Sequence, residues 1–165
     1  MLLGEILHRE SIKTALDSTE KFAVIDELLD VLIDAGDLTV AQRDYARVAI
    51  IDREESMSTG MEMGIALPHG SSRSIEKIVG AMGISQAGIE FGCLDGKPAH
   101  LIILLVLPFK EIQVRVRTLG GISHLLNDDD FRDSLMREPD ADTILKLIHV
   151  EEKKSIFDGF RHYFK

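Results

Sequence analysis

Residues 100–107 read HLIILLVL: after the histidine the run is wholly aliphatic, and Pro108 follows it. A membrane-spanning helix needs about 20 apolar residues in a row, so this run is too short to cross a bilayer. Nor does it alternate polar with apolar, as a strand with one wet face would. It reads as a β-strand covered on both faces, entered through a turn at Leu94-Asp95-Gly96-Lys97.

Such a strand demands neighbours, and the flanking sequence supplies them. Strands are expected at 64–67 and 78–85, with GIEFG at 88–92 adding a short edge strand. Before them, Phe22, Ile25, Leu28, Leu29 and Leu32 recur at helical spacing, preceded by Asp17 and Ser18 and stopped by Gly36. A second helix starts at Thr39, where Gln42 completes a capping box, and runs through Tyr45, Ala46, Ala49 and Ile50 toward Arg53. After Pro108 the helical period returns in Ile112, Val116, Leu119, Ile122 and Leu126, and Pro139 separates two shorter helices at 130–137 and 141–149. The expected fold class is α/β, a single domain with a central mixed β-sheet flanked by helices on both faces.

That domain is expected over 1–150, followed by a tail over 151–165. In the tail Ile156, Phe157, Phe160, Tyr163 and Phe164 fall on one helical face, although Gly159 interrupts the stripe. Three readings stay open for this face: a helix docked on its own domain, a homodimer contact through 155–165, or a surface for a partner or membrane.

Composition narrows the function classes. The 165 residues, 45% hydrophobic and 28% charged, are enough for one domain with a substantial core. A formal net charge of −9 repels phosphate backbones at long range, so nucleic acid is not the expected partner and a basic protein surface is favoured. The single cysteine, Cys93, permits neither a disulfide framework nor a cysteine metal cluster and reads as a buried, inert thiol. The opening MLLGEILHRES lacks the features of a signal peptide, so a cytoplasmic location is the default expectation.

Six histidines are present, and none falls in HExxH, HxH or Cys/His spacing, so no metal site is expected. Five lie in helical, terminal or strand-opening patterns; His69 stands apart, between Pro68 and Gly70 in GIALPHG. Pro68 forces the residue before it to be extended, and Gly70 lets a bulky group approach closely. Ser71 and Ser72 add hydroxyls and N–H groups of the kind a phosphate site uses. An imidazole fixed at one nitrogen presents the other as a neutral nucleophile near pH 7, which suits capture of a transferable group. A simple turn histidine is the alternative from spacing alone.

The stretch from Arg53 to Gly70, REESMSTGMEMGIALPHG, resembles the active-site signature of the fructose/mannitol-type (type 2) enzyme IIA domains of the bacterial phosphoenolpyruvate-dependent phosphotransferase system, a group that includes nitrogen-regulatory enzyme IIA proteins. The likeness extends to Ala35-Gly36 at the first helix end, Arg53-Glu54 at the second, the strand before Pro108 and LLNDDDFR from Leu125; only the tail after about Val150 departs. The resemblance implies that His69 accepts a phosphoryl group from the phosphohistidine of an HPr-type carrier and passes it to a IIB partner or a regulatory target. It implies further that Arg53 lies beside the active site, where its planar fork suits phosphoryl oxygens, and that Thr59 and Gly60 form a small-residue loop approaching the same pocket. A surface salt bridge to Glu54 or Glu55 is the alternative reading of Arg53. No cofactor is implied.

One position departs from the pattern. The family usually carries a second histidine, followed by leucine, at the start of the helix after the thick strand; ungapped alignment puts Arg115 and Val116 there, and a slip of a residue or two would put Arg117 there instead. His124, nine residues on, lies roughly 13 Å further along a helix. An arginine cannot relay a proton but pairs well with a phosphoryl dianion. Two functions follow as expectations: a working phosphocarrier, or a binding module whose partner choice depends on phosphorylation of His69. With no IIB-like segment and no membrane-spanning portion in the sequence, any acceptor is expected to be a separate protein.

Overall fold

The computed structural model describes the backbone of residues 2–163 and the side chains of 2–156. In chain order it runs α1 (Leu3–Ile6), a 3-10 turn at Arg9–Ser11, β1 (Ile12–Lys13), α2 (Lys21–Asp34), α3 (Val40–Ser56), β2 (Ile65–Ala66), β3 (His69–Ser72), β4 (Val79–Ile89), β5 (Ala99–Pro108), α4 (Ile112–Leu125), α5 (Asp129–Arg137) and α6 (Ala141–Tyr163). The expected α/β class with a mixed, helix-flanked sheet is what the chain adopts.

The aliphatic run is the centre of that sheet. Strand order is β1-β4-β5-β2, with β3 also on β5; β4 is antiparallel to β5, while β2 and β3 are parallel to it. Successive side chains of β5 point to opposite faces, so each face receives half of the run. Leu101, Ile103, Leu105 and Leu107 join the core under α1, α4, α5 and α6, with Ile122, Phe131, Leu135, Ile144 and Ile148. Ile102, Leu104 and Val106 join the other core with Val24, Ile25, Leu28, Leu29 and Leu32 of α2 and Ala46 and Ile50 of α3. The missing polar alternation thus has its cause: neither face of β5 meets water.

Local signals set the helix ends. Gly36, at φ +81, closes α2 in a Schellman arrangement in which Asp37 N–H donates to the Leu32 carbonyl and Gly36 N–H to that of Ile33. Thr39 and Gln42 cap α3 reciprocally, at 2.9 and 3.3 Å.

Three expectations are corrected. The strand at 64–67 does not end at Pro68: Ile65 pairs with Leu101 and His69 with Leu105, a constant offset, so β2 and β3 are one line interrupted where proline has no N–H to give. His69 therefore opens a strand and does not hang from the end of one. The separate edge strand at 88–92 is absent; β4 itself reaches Ile89, with a register shift after Ile84 and Gly88 at φ +84. Two-residue β1, too short to show periodicity, was not anticipated. Helix α6 runs on to Tyr163, well past 149. The aromatic stripe expected in the tail lies, from Phe157 onward, outside the side chains described.

Leu104 has no exposed surface. Leu104→Ala is expected to lower stability by about 2–5 kcal/mol through lost transfer energy and the cavity left behind. A urea unfolding curve checks this as a lowered midpoint at unchanged slope.

Candidate active site

Gly70 fixes how close α3 comes to the sheet. A Cβ at this position would stand 2.7 Å from the Ile50 nitrogen and 2.8 Å from the Ala49 carbonyl carbon, so only glycine lets the helix backbone lie directly on β3. From that contact α3 runs on to Asp52 and Arg53, which reach the same hollow as His69. On the opposite wall, the chain leaves β5 at Pro108 and returns as α4, bringing Arg115, Val116 and Leu119 to the rim. The result is an open depression of about 470 Å³, with His69, Gly70 and Ser71 along its floor.

His69 is half-buried, and its Nδ1 lies 2.8 Å from the Leu67 carbonyl oxygen. A carbonyl only accepts, so Nδ1 carries the proton and donates it, and Nε2 keeps its lone pair. Among the described residues Nε2 takes no hydrogen-bond partner. Burial pushes the imidazole pKa below its ordinary 6.5; the Leu67 bond opposes that, Arg53 lowers it further, Glu54 raises it and Arg115 lowers it. The outcome is a neutral ring near pH 7, the protonation state a nitrogen nucleophile requires.

Arg53 and Arg115 supply the positive charge. Arg53 does not pair with Glu54 or Glu55; its Nη1 donates to the Met57 carbonyl at 2.9 Å, at the C-terminal end of α3. Arg115 donates from Nη1 to the Ser71 hydroxyl, which keeps its own proton to give. Arg115 lines the depression, while Arg117 is exposed on the same helix. An anion entering here meets two guanidinium groups, a serine hydroxyl and a neutral imidazole.

Thr59 and Gly60 are not brought to the depression. Thr59 is buried and spends both its N–H and its hydroxyl on the Glu54 carboxylate. Gly60 lies against Cys93, whose backbone nitrogen would be 2.9 Å from an added Cβ. The reason is that Glu54, one residue past Arg53, points into the protein and draws the loop inward with it. Asp52 is a further lining residue, and its spacing of three from Ala49 on α3 was the available signal in the sequence. Cys93 is buried, and burial, with Asp95 and Glu90 nearby, raises its thiol pKa. Among the described residues, no three His, Cys, Asp or Glu side chains converge to hold a metal ion, and no helix is long and apolar enough to cross a membrane.

The family model described as "Phosphoenolpyruvate-dependent sugar phosphotransferase system, EIIA 2" matches residues 5–150. The chain is 34% identical over 153 residues to the fructose-specific EIIABC component of Bacillus subtilis, covering 93% of this chain but 24% of that one, so it spans about a quarter of that relative. It is 32% identical over 128 residues to the fructose-specific EIIA component of Haloferax volcanii, covering 78% of this chain and 82% of that one. Among solved structures, the nitrogen regulatory protein IIA-Ntr of Neisseria meningitidis superposes with a TM-score of 0.79 at 25% identity, covering 88% and 98% of the two chains.

An NMR pH titration of His69 is expected to give a midpoint below 6.5, with Nε2 as the titrating nitrogen and the Nδ1 proton retained throughout. A nitrogen nucleophile reacts in its neutral form, so any nucleophilic reactivity at Nε2 is expected to hold as pH falls to that midpoint and to be lost below it. A midpoint at or above 6.5 contradicts this account of the site.

Proposed function

The chain belongs to the EIIA 2 family of the phosphoenolpyruvate-dependent sugar phosphotransferase system, and we propose that within it His69 is the phosphoryl acceptor, taking the group from an HPr-type phosphohistidine and yielding it to a IIB partner or regulatory target. Members of the family are phosphotransfer components. The observation that carries the reading is the His69 ring itself: Nδ1 committed to the Leu67 carbonyl, Nε2 without a partner among the described residues, and two guanidinium groups beside it.

Transfer then needs little covalent help from the protein. The Nε2 lone pair attacks phosphorus while the donor's P–N bond breaks and its electron pair returns to the donor nitrogen; the Nδ1 proton stays on the ring, donated to the Leu67 carbonyl. Equatorial oxygens gain charge in the transition state, and Arg53, Arg115 and the Ser71 hydroxyl meet them. Gly70 keeps α3, and with it Arg53, close enough to reach. Positioning and fixed charge carry the catalysis.

A regulatory role draws on Arg115 in place of the second histidine. A guanidinium holds a phosphoryl dianion without being able to pass on a proton, which favours a longer-lived phosphorylated state that a partner protein can read. The relatives described as fructose-specific components and the structural neighbour described as a nitrogen regulatory protein span both roles.

Incubation with phosphoenolpyruvate, enzyme I and HPr, followed by intact mass measurement, is expected to show one added phosphoryl group that is lost in His69→Ala. No gain with any cognate donor leaves only the binding-module reading. In Arg115→His the phosphohistidine lifetime is expected to shorten about tenfold or more, since a hydrogen bond to a charged group contributes about 1.5–3 kcal/mol. An unchanged lifetime and transfer rate would exclude Arg115 from the phosphoryl site.

A further inference from the structure

Below the candidate site lies a buried ion pair with no part in the chemistry described so far. The Glu54 side chain is wholly shielded from water, and Lys21 Nζ stands 2.5 Å from its Oε1. Both carboxylate oxygens lie 3.1 Å from the Thr59 nitrogen, and the Thr59 hydroxyl donates to Oε2. Lys21 is itself pinned, donating to the Phe91 carbonyl at 2.9 Å with its ammonium 5.0 Å from the Phe91 ring centroid. Burying a carboxylate is costly, and a well-packed apolar pair commonly serves a core as well or better. A bare need for packing therefore does not account for Glu54.

What the pair holds is a short path to the imidazole. The Thr59 carbonyl accepts the Leu67 N–H at 3.1 Å, and the Leu67 carbonyl accepts the His69 Nδ1–H at 2.8 Å. Leu67 precedes Pro68, so its backbone is confined to extended conformations and its carbonyl has little freedom once its N–H is tied. The same turn of α3 places Arg53 in the depression and Glu54 in the interior. Neighbouring residues on one rigid helix thus address the guanidinium directly and the imidazole through Thr59 and Leu67.

We propose that Glu54 is a positioning residue: through Thr59 and the Leu67 peptide its carboxylate holds His69 in the Nδ1–H tautomer, with Nε2 set for phosphoryl transfer. The proposal rests on the reading of His69 as the phosphoryl acceptor. Nothing is transferred along the path; Glu54 keeps its charge, and the only covalent change is the exchange of the donor's P–N bond for one at Nε2. The charged and polar neighbours of His69 are Arg53, Asp52 and Glu54 from α3, Ser71 from β3 and Arg115 from α4. Of these, Glu54 alone acts on the ring through its carbonyl partner.

The test reads the tautomer from long-range 15N–1H correlations of histidine-labelled, unphosphorylated protein, which needs no phosphoryl donor, alongside the initial rate of phosphorylation. Wild type and Thr59→Ser are expected to show a single Nδ1–H form. Glu54→Gln and Thr59→Val are expected to show a mixture with the Nε2–H form and a rate lower by about 10- to 100-fold, the scale of outer contacts that orient a reacting group. Wild-type tautomer and rate in folded Glu54→Gln and Thr59→Val would overturn the proposal, as would Thr59→Ser behaving like Thr59→Val. Should Glu54→Gln fail to fold, the Thr59 pair decides alone. A tautomer that responds in a protein no donor phosphorylates upholds the hold on the imidazole and overturns only the acceptor reading; a phosphorylated protein with an unmoved tautomer does the reverse.

Discussion

A strand buried on both faces must satisfy its backbone entirely within the sheet, because no water reaches it and each unpaired N–H or C=O would be costly. β5 meets that requirement by pairing antiparallel with β4 on one edge and parallel with the β2–β3 line on the other. The second pairing is what puts His69 in place. Its register across from Leu105 is held on both sides of a proline that cannot donate, by the Gly64 and Pro68 carbonyls accepting from β5. An imidazole mounted on the edge of such a strand inherits the rigidity of the core, which a histidine in a free turn would lack.

Electrostatics then distinguish the site from the rest of the surface. The chain carries a formal net charge of −9, yet around His69 two arginines face a single aspartate. Local positive charge and partial burial both disfavour the imidazolium, so the ring is left neutral where an anion would be drawn in. Opposite signs of charge are sorted by one helix: Arg53 of α3 faces the depression, and Glu54 is neutralised internally by Lys21. Had both faced outward, they would have cancelled each other.

Much of this was legible in the residues. The aliphatic run 101–107 announced a doubly covered strand, Thr39 and Gln42 a helix start, and Gly36 a helix stop, because each rests on local chemistry that the chain carries wherever it folds. His69 and Arg53 stood out through the stretch between them, and Gly70 through its place after His69. Less legible was anything decided between distant segments. Thr59 reads as a loop residue near an active site, and only the inward turn of Glu54 shows that its hydrogen bonds are already taken. The choice between Arg115 and Arg117 depends on how far the chain travels after Pro108 before α4 begins, and periodicity leaves element boundaries loose by a residue or more.

By itself, then, the sequence determined the secondary-structure menu and the two-sided burial of its central strand and singled out His69 as the candidate reactive side chain, since these follow from side-chain chemistry and short-range spacing. Tertiary structure alone decided that the line carrying His69 continues past Pro68, that Arg115 reaches Ser71 while Thr59 turns away, and that a lysine 33 residues upstream of Glu54 anchors the loop behind the imidazole. The physical reason is the same in each case. Hydrogen-bond partners and salt-bridge partners are chosen by proximity in space, and proximity between segments is set by packing α2, α3 and α4 onto one sheet.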